Sequence, residues 1–226
     1  LDLVRDIIRE PAFDATEAEK IRPELLAQLK QQEDSLTSFA FQEFNKIMFD
    51  GHPYGLNSIG SADAIRSFTP EALKDIYQQH AQPDHLVLAI SGDVEAEETK
   101  DLVVRLFGDW QAGQTSEEQE IEEDILPPSL LIKEKIREVS RDKEQVHLVI
   151  GFLGTTLKDR DRFALEILDT ILSGQSGRLF TELRDKQSLA YSLSSFSFFG
   201  LDTGTFGIYI GTSPEKKEQA INSVWH

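Results

Sequence analysis

Arg184 and Tyr191 stand seven positions apart in the stretch LRDKQSLAY, where a helical pattern runs out into a strand. Seven residues is close to two helical turns, so a guanidinium and a phenol there could point the same way. Together they offer a charged fork of donors and one neutral O–H donor. That set suits a substrate carbonyl, or the oxyanion that develops at a peptide bond under attack. Neither group is a base and neither activates a water, so the pair could assist a hydrolysis but not run one. The plain alternative is that Arg184 makes a surface ion pair while Tyr191 packs in a sheet.

Other chemistry is thin. The histidines are His52, His80, His85, His147 and His226. No two are spaced as HxxxH or HxxEH, the helical spacings that let two imidazoles share one zinc. His80 and His85 straddle a Pro-Asp turn, and His52 in GHPYG reads as a turn residue. The serines clustered between Ser173 and Ser197 include none in a GxSxG elbow. Gly174-Gln175-Ser176-Gly177 lacks the lysine and spacing of a phosphate loop and reads as a turn that starts a helix. With no cysteine in the chain, thiolate nucleophiles, disulfides and Cys-based zinc sites are excluded.

The elements that must position the pair follow from periodicity. Residues 14–34 carry Ala18, Ile21, Leu25, Leu26 and Leu29 at helical spacing, with Asp14 and Glu17 as a capping box and Pro23 as a kink or late start. Further helices are expected over Ser38–Phe49, over TPEALKDIYQQH with Thr69 as N-cap, and over EAEETKDLVVRLFGDW. HLVLAISGDV, residues 85–94, reads as a strand. Past residue 111 the composition turns acidic and closes on Pro127-Pro128, the mark of a linker. Beyond it come strands at IKEKIREV and at 145–154, a helix from Asp161 to Leu172, a helix RLFTELRDK, and a hairpin of YSLSSFSFF and TGTFGIYIG joined through Gly200-Leu201-Asp202. Phe206, Ile208 and Ile210 alternate onto one face, as in a half-buried strand.

This order predicts an α+β chain of two incomplete homologous lobes, each a mixed or antiparallel sheet backed by helices. The expected division is 1–111, an acidic linker over 112–128, and 129–226. The 226 residues carry 23 basic and 40 acidic side chains, a net charge of −17, which argues against nucleic acid. No run of eighteen apolar residues suggests a membrane span, and the N-terminus shows no signal-peptide pattern. Both ends read as mid-helix, so a fragment of a longer protein is expected.

Several stretches together resemble the insulinase/pitrilysin-type peptidases, the HxxEH inverted zincins. PAFDATEAEKIRPELLAQLKQQED, HPYGLNSIGSADAIRSFTPEALKDIYQQHAQPDHLVLAISGDV and LFGDW resemble the later part of one domain of that family. LSGQSGRLFTELRDKQSLAYSLSSFSFFGLDTGTFGIYIGTSPEK resembles the start and middle of the next. The resemblance implies a closing chamber of homologous α/β domains, with zinc held by HxxEH and a downstream glutamate in a helix reading E-x6-E. Here the matching positions are Ile21 and Gln28, and neither is a carboxylate. That implies a half that holds no metal and no other cofactor, with zinc in an HxxEH-bearing partner half. In the family the zinc-free half contributes an arginine and a tyrosine, spaced R-x6-Y after GRLF, that reach the peptide substrate at the metal. Arg184 and Tyr191 match that pattern. Two alternatives stay open: a structural, non-peptidase homologue, and an active half with an atypical zinc helix.

Overall fold

The computed structural model describes residues 1–111 and 135–225. The expected linker over 112–128 lies outside them, as do residues 132–134 of the expected IKEKIREV strand. The described residues group into two compact units that are not contiguous in sequence. The first takes Leu1–Leu29 and 59–111; the second takes Lys30–Ser58 and 135–225.

The second unit is built on three antiparallel strands, β1 (Val146–Leu153), β2 (Ser192–Phe199) and β3 (Gly204–Thr212), in the order β1-β3-β2. Register is fixed by pairs such as Ile150 with Ile208, and Ser195 with Ile208. Helix α3 (Leu36–Met48) is capped by the Ser35 side chain, which accepts from the Ser38 N–H. It lays Phe41 and Phe44 against the Phe196 ring on one sheet face, both edge to face at 4.9 and 5.7 Å. Two strand glycines make that packing possible. A Cβ on Gly151 would stand 2.4 Å from the Phe44 ring, and one on Gly207 would stand 2.4 Å from the Phe196 ring. The strand interior therefore tolerates glycine because aromatic rings fill the space.

The other face carries the main core. Helix α7 (Arg162–Leu172), a π-helical turn at Phe180–Lys186 and helix α8 (Lys217–Val224) flank it. Leu179, Leu183, Leu189, Ala190, Ile208, Ile210 and Ala220 form one buried cluster there, with Leu148, Leu172, Leu193 and Val224 packed against it. Because β3 is central, it is covered on both faces. Tyr209 is buried as well as Ile208 and Ile210, so a half-buried alternating strand describes β3 only on one side. A buried polar link ties α7 to β2: the Ser195 hydroxyl bonds the Asp169 carboxylate and stands 2.7 Å from the Ser173 hydroxyl.

The first unit is helical among its described residues: α1 (Asp2–Arg9), α2 (Ala15–Asp34, which runs on into the second unit), α4 (Ala62–Ser67), α5 (Pro70–His80) and α6 (Ala96–Phe107). Asp14 caps α2, accepting from the Thr16 and Glu17 N–H groups at 2.7 and 3.1 Å, and Thr69 caps α5. Pro23 sits inside α2 without ending it. Arg9 binds Asp109 at 2.6 Å and Tyr77 donates to the Ile8 carbonyl at 2.8 Å. Residues 85–94 do not form the expected strand. Pro83–His85 is a 3₁₀ turn, and no strand pairs with the segment among the described residues. Its apolar side chains stay in solvent, with Val87 92% exposed. A strand needs a partner for its backbone N–H and C=O groups, and the apolar pattern of HLVLAI cannot supply one. The same holds for residues 135–139, which are irregular and rich in exposed charge.

The architecture is α+β, helices with a small antiparallel sheet. No helix of the described residues is long and apolar enough to cross a membrane.

Candidate functional site

Arg184 lies in the last turn of the π-helical segment, and Tyr191 immediately precedes β2. The seven residues from Arg184 to Ala190 have no glycine to stop the helix, yet the helix stops. Ser188 takes the left-handed conformation, φ 51°. Its N–H reaches the Arg184 carbonyl at 2.9 Å, the bond of an αL cap. The Leu189 N–H reaches further back, to the Leu183 carbonyl at 2.7 Å. That bond spans one residue more than the usual Schellman closure, as fits a widened π turn. Leu183 and Leu189 are both about 2% exposed, so the turn is anchored in the core at each end.

The outgoing segment is held as firmly. The Thr212 hydroxyl donates to the Leu189 carbonyl at 2.5 Å, Lys216 Nζ donates to the Ser188 carbonyl at 2.8 Å, and the Tyr191 N–H donates to the Gly211 carbonyl at 2.8 Å. Backbone on both sides of the pair is therefore fixed by bonds to β3 and to the 3₁₀ turn Pro214–Lys216 that precedes α8.

The polar ends of the pair are left open. Arg184 forms no ion pair and no side-chain hydrogen bond among the described residues; its guanidinium carbon rests 4.8 Å from the centroid of the Phe180 ring. Glu182, two positions back, is taken by Lys186 at 2.7 Å. Tyr191 is 59% exposed, and its hydroxyl has no hydrogen-bond partner among the described residues. A charged fork and a phenol thus face solvent from a rigid frame.

Two histidine arrangements escape sequence reasoning. His52 is buried, and it does more than start a turn. Its Nδ1 accepts the Tyr54 N–H at 3.2 Å, so Nε2 carries the hydrogen and donates to the Asp202 carboxylate at 2.9 Å. That bond holds the Asp202 carboxyl below its usual range. The Tyr54 hydroxyl accepts from the Leu201 N–H at 2.9 Å, so HPYG clamps the tip of the β2–β3 hairpin. GHPYG contains the turn signal, but its partner lies 150 positions away. His147 on β1 bonds the Tyr209 hydroxyl through Nδ1 at 2.8 Å, and Tyr209 in turn meets Thr37 at 2.9 Å. The Nε2 of His147 is buried with no partner among the described residues, and burial pushes its pKa down.

The donor set for zinc does not fit. Ile21 and Gln28 are exposed on α2, and Ile21 lines an apolar furrow of about 350 Å³ with Phe13 and Leu73. Isoleucine has no donor atom and a neutral amide is a poor zinc ligand. Among the described residues no three His, Asp or Glu side chains gather into a group that could hold a metal ion.

An uncharacterized zinc protease of Streptomyces coelicolor is 27% identical over 222 residues, which is 98% of this chain and 48% of that protein. The chain spans about half the length of the curated relatives it matches. A crystal structure of a peptidase M16 inactive domain from Pseudomonas fluorescens superposes with a TM-score of 0.74 at 23% identity, covering 98% of this chain and 53% of that one. A chain of complex III2 from Candida albicans superposes at 0.69 with 15% identity, covering 95% and 52%. At such identities these likenesses show the fold alone. The model of the peptidase M16 inactive domain matches residues 67–226, and the chain belongs to that family.

Proposed function

We propose that this chain is part of the substrate-binding half of a zinc metalloendopeptidase, cleaving peptides only with a partner half that carries HxxEH and zinc. In this reading Arg184 and Tyr191 donate to a carbonyl of the bound peptide and to the oxyanion that develops there. One observation carries it: among the described residues, two strong donors stand without protein partners on a backbone fixed on both sides. A surface arginine serving stability would be expected to pair with an acid or a backbone carbonyl, and a tyrosine serving the sheet would be buried. Membership of an inactive-domain family and relatives named zinc proteases support the same reading.

The structural homologue is the second reading, favoured only by the fold. One experiment separates the two. Arg184→Ala and Tyr191→Phe are made in the full-length protein with its zinc-bearing half, and peptide cleavage and melting are measured together. A fall in kcat/KM worth about 2–4 kcal/mol with unchanged melting is expected, as for one oxyanion donor. Activity within twofold of the parent in both variants would make the pair structural.

A further inference from the structure

Among the described residues four arginines lie over aromatic rings: Arg9 over Trp110, Arg141 over Phe39, Arg162 over Phe163 and Arg184 over Phe180. In the first three the guanidinium also spends its N–H groups. Arg9 bonds Asp109, Arg141 donates to the Glu33 carbonyl, and Arg162 donates to the Leu157 carbonyl. Arg184 alone of the four makes the ring contact and no side-chain hydrogen bond among the described residues. A ring engages the face of a guanidinium, whereas its five N–H donors lie in the plane and point outward. A carboxylate would have fixed the same side chain by occupying that fork and neutralising its charge. An aromatic shelf fixes it and leaves both available.

We infer that Phe180 is a positioning residue, holding the Arg184 guanidinium in the orientation from which it meets the peptide. This rests on the reading of Arg184 given above. The shelf itself is anchored. Phe180 is half-buried between Leu179 and Leu183 in sequence, and both of those are core residues. Phe180 and Arg184 sit four apart in one π-helical turn, which brings the guanidinium carbon over the ring, 4.8 Å from its centroid. Widened turns of this kind recur where a helix is adapted to a site.

The test is a double-mutant cycle in the full-length protein with its zinc-bearing half, followed by peptide cleavage and thermal melting. Phe180→Leu keeps an apolar side chain of helical propensity and removes the ring. It should lower kcat/KM by about two- to fivefold, in kcat more than in KM, with melting little changed. Phe180→Tyr keeps a ring and should restore the parent rate. In an Arg184→Ala background, Phe180→Leu should cost nothing further, because the group it positions is gone. An equal loss in both backgrounds would show a structural role and overturn the inference. So would unchanged activity of Phe180→Leu in an enzyme that Arg184→Ala impairs. If Arg184→Ala itself leaves activity intact, the reading of the pair fails first and this inference falls with it.

Discussion

The N–H of Leu189 reaches back over five intervening residues to the carbonyl of Leu183, and both side chains enter the same buried cluster. Bond and burial close one turn. Arg184 directly follows the first anchor, and Tyr191 stands two residues past the second. Their backbone positions are thus set by core packing, although their own polar ends take no part in it. This division lets a protein hold donors without blunting them.

The cap between those anchors gives a first prediction. Ser188 carries a Cβ in the left-handed region, which costs about 1–2 kcal/mol relative to glycine in the folded chain. Glycine would remove that strain but loses more freedom on folding, about 0.5–1 kcal/mol. Ser188→Gly should therefore raise stability by about 0–1.5 kcal/mol, and Ser188→Val should lower it by about 1–3 kcal/mol. Urea melts of the two variants decide it; a Ser188→Gly chain that loses more than 1 kcal/mol would show that the hydroxyl, not the backbone, sets this turn.

Much of this was legible in the sequence, and the reason differs by element. Helices announced themselves by periodicity and caps, with Asp14 and Thr69 as N-caps where the pattern put them. The hairpin followed from alternation on either side of Gly200-Leu201-Asp202. HLVLAI had the composition of a strand, but composition does not provide a ladder partner, and among the described residues none is present. Grouping of Lys30–Ser58 with the sheet could not be read either, because it depends on Phe41 and Phe44 finding Phe196 across more than 150 positions. The π turn and the αL serine carry no sequence signal at all. Arg184 and Tyr191 were legible as a spacing, whereas the Phe180 shelf and the His52–Asp202 clamp arise only in the folded chain.

Acid should weaken the second unit in two steps. His147 has a lowered pKa, so the unfolded chain binds its proton more readily than the folded one. The stability it contributes is complete above the unfolded value near 6.5 and is lost as pH falls below it. The physical cost is a buried Nε2–H with no acceptor among the described residues. Asp202, also lowered, behaves alike one window further down: its contribution is present above about pH 4 and lost below. Melting between pH 7.5 and 3 should fall through both windows, and His147→Gln should flatten the upper one. A parent protein equally stable at pH 7.5 and 5 would remove His147 from the account.

Metal removal gives a further test. With Ile21 and Gln28 at the positions where the resemblance places carboxylates, this chain should retain no stoichiometric zinc after dialysis against a weak chelator. Chelation should also leave its melting temperature unmoved, since no folding free energy is tied to a metal. Elemental analysis near one zinc per chain, or a chelator-dependent drop in melting, would contradict both the ligand argument and the assignment to a zinc-free half.

The last prediction separates what holds the turn from what the turn presents. Leu183 is about 2% exposed at the centre of the cluster formed with Leu179, Leu189 and Ile210. Leu183→Ala should remove its buried surface and leave a cavity, lowering stability by about 2–5 kcal/mol. Arg184 is the next residue, yet among the described residues its side chain meets only the half-buried Phe180 ring, so Arg184→Ala should change stability by about 0.5 kcal/mol or less. Tyr191→Phe removes a hydroxyl that has no partner among the described residues, and no stability should go with it. All three variants are melted beside the parent in the full-length protein. If Arg184→Ala or Tyr191→Phe destabilises by more than about 1 kcal/mol, the side chains belong to the frame, and a loss of peptide cleavage in either variant could no longer be assigned to donors facing a substrate.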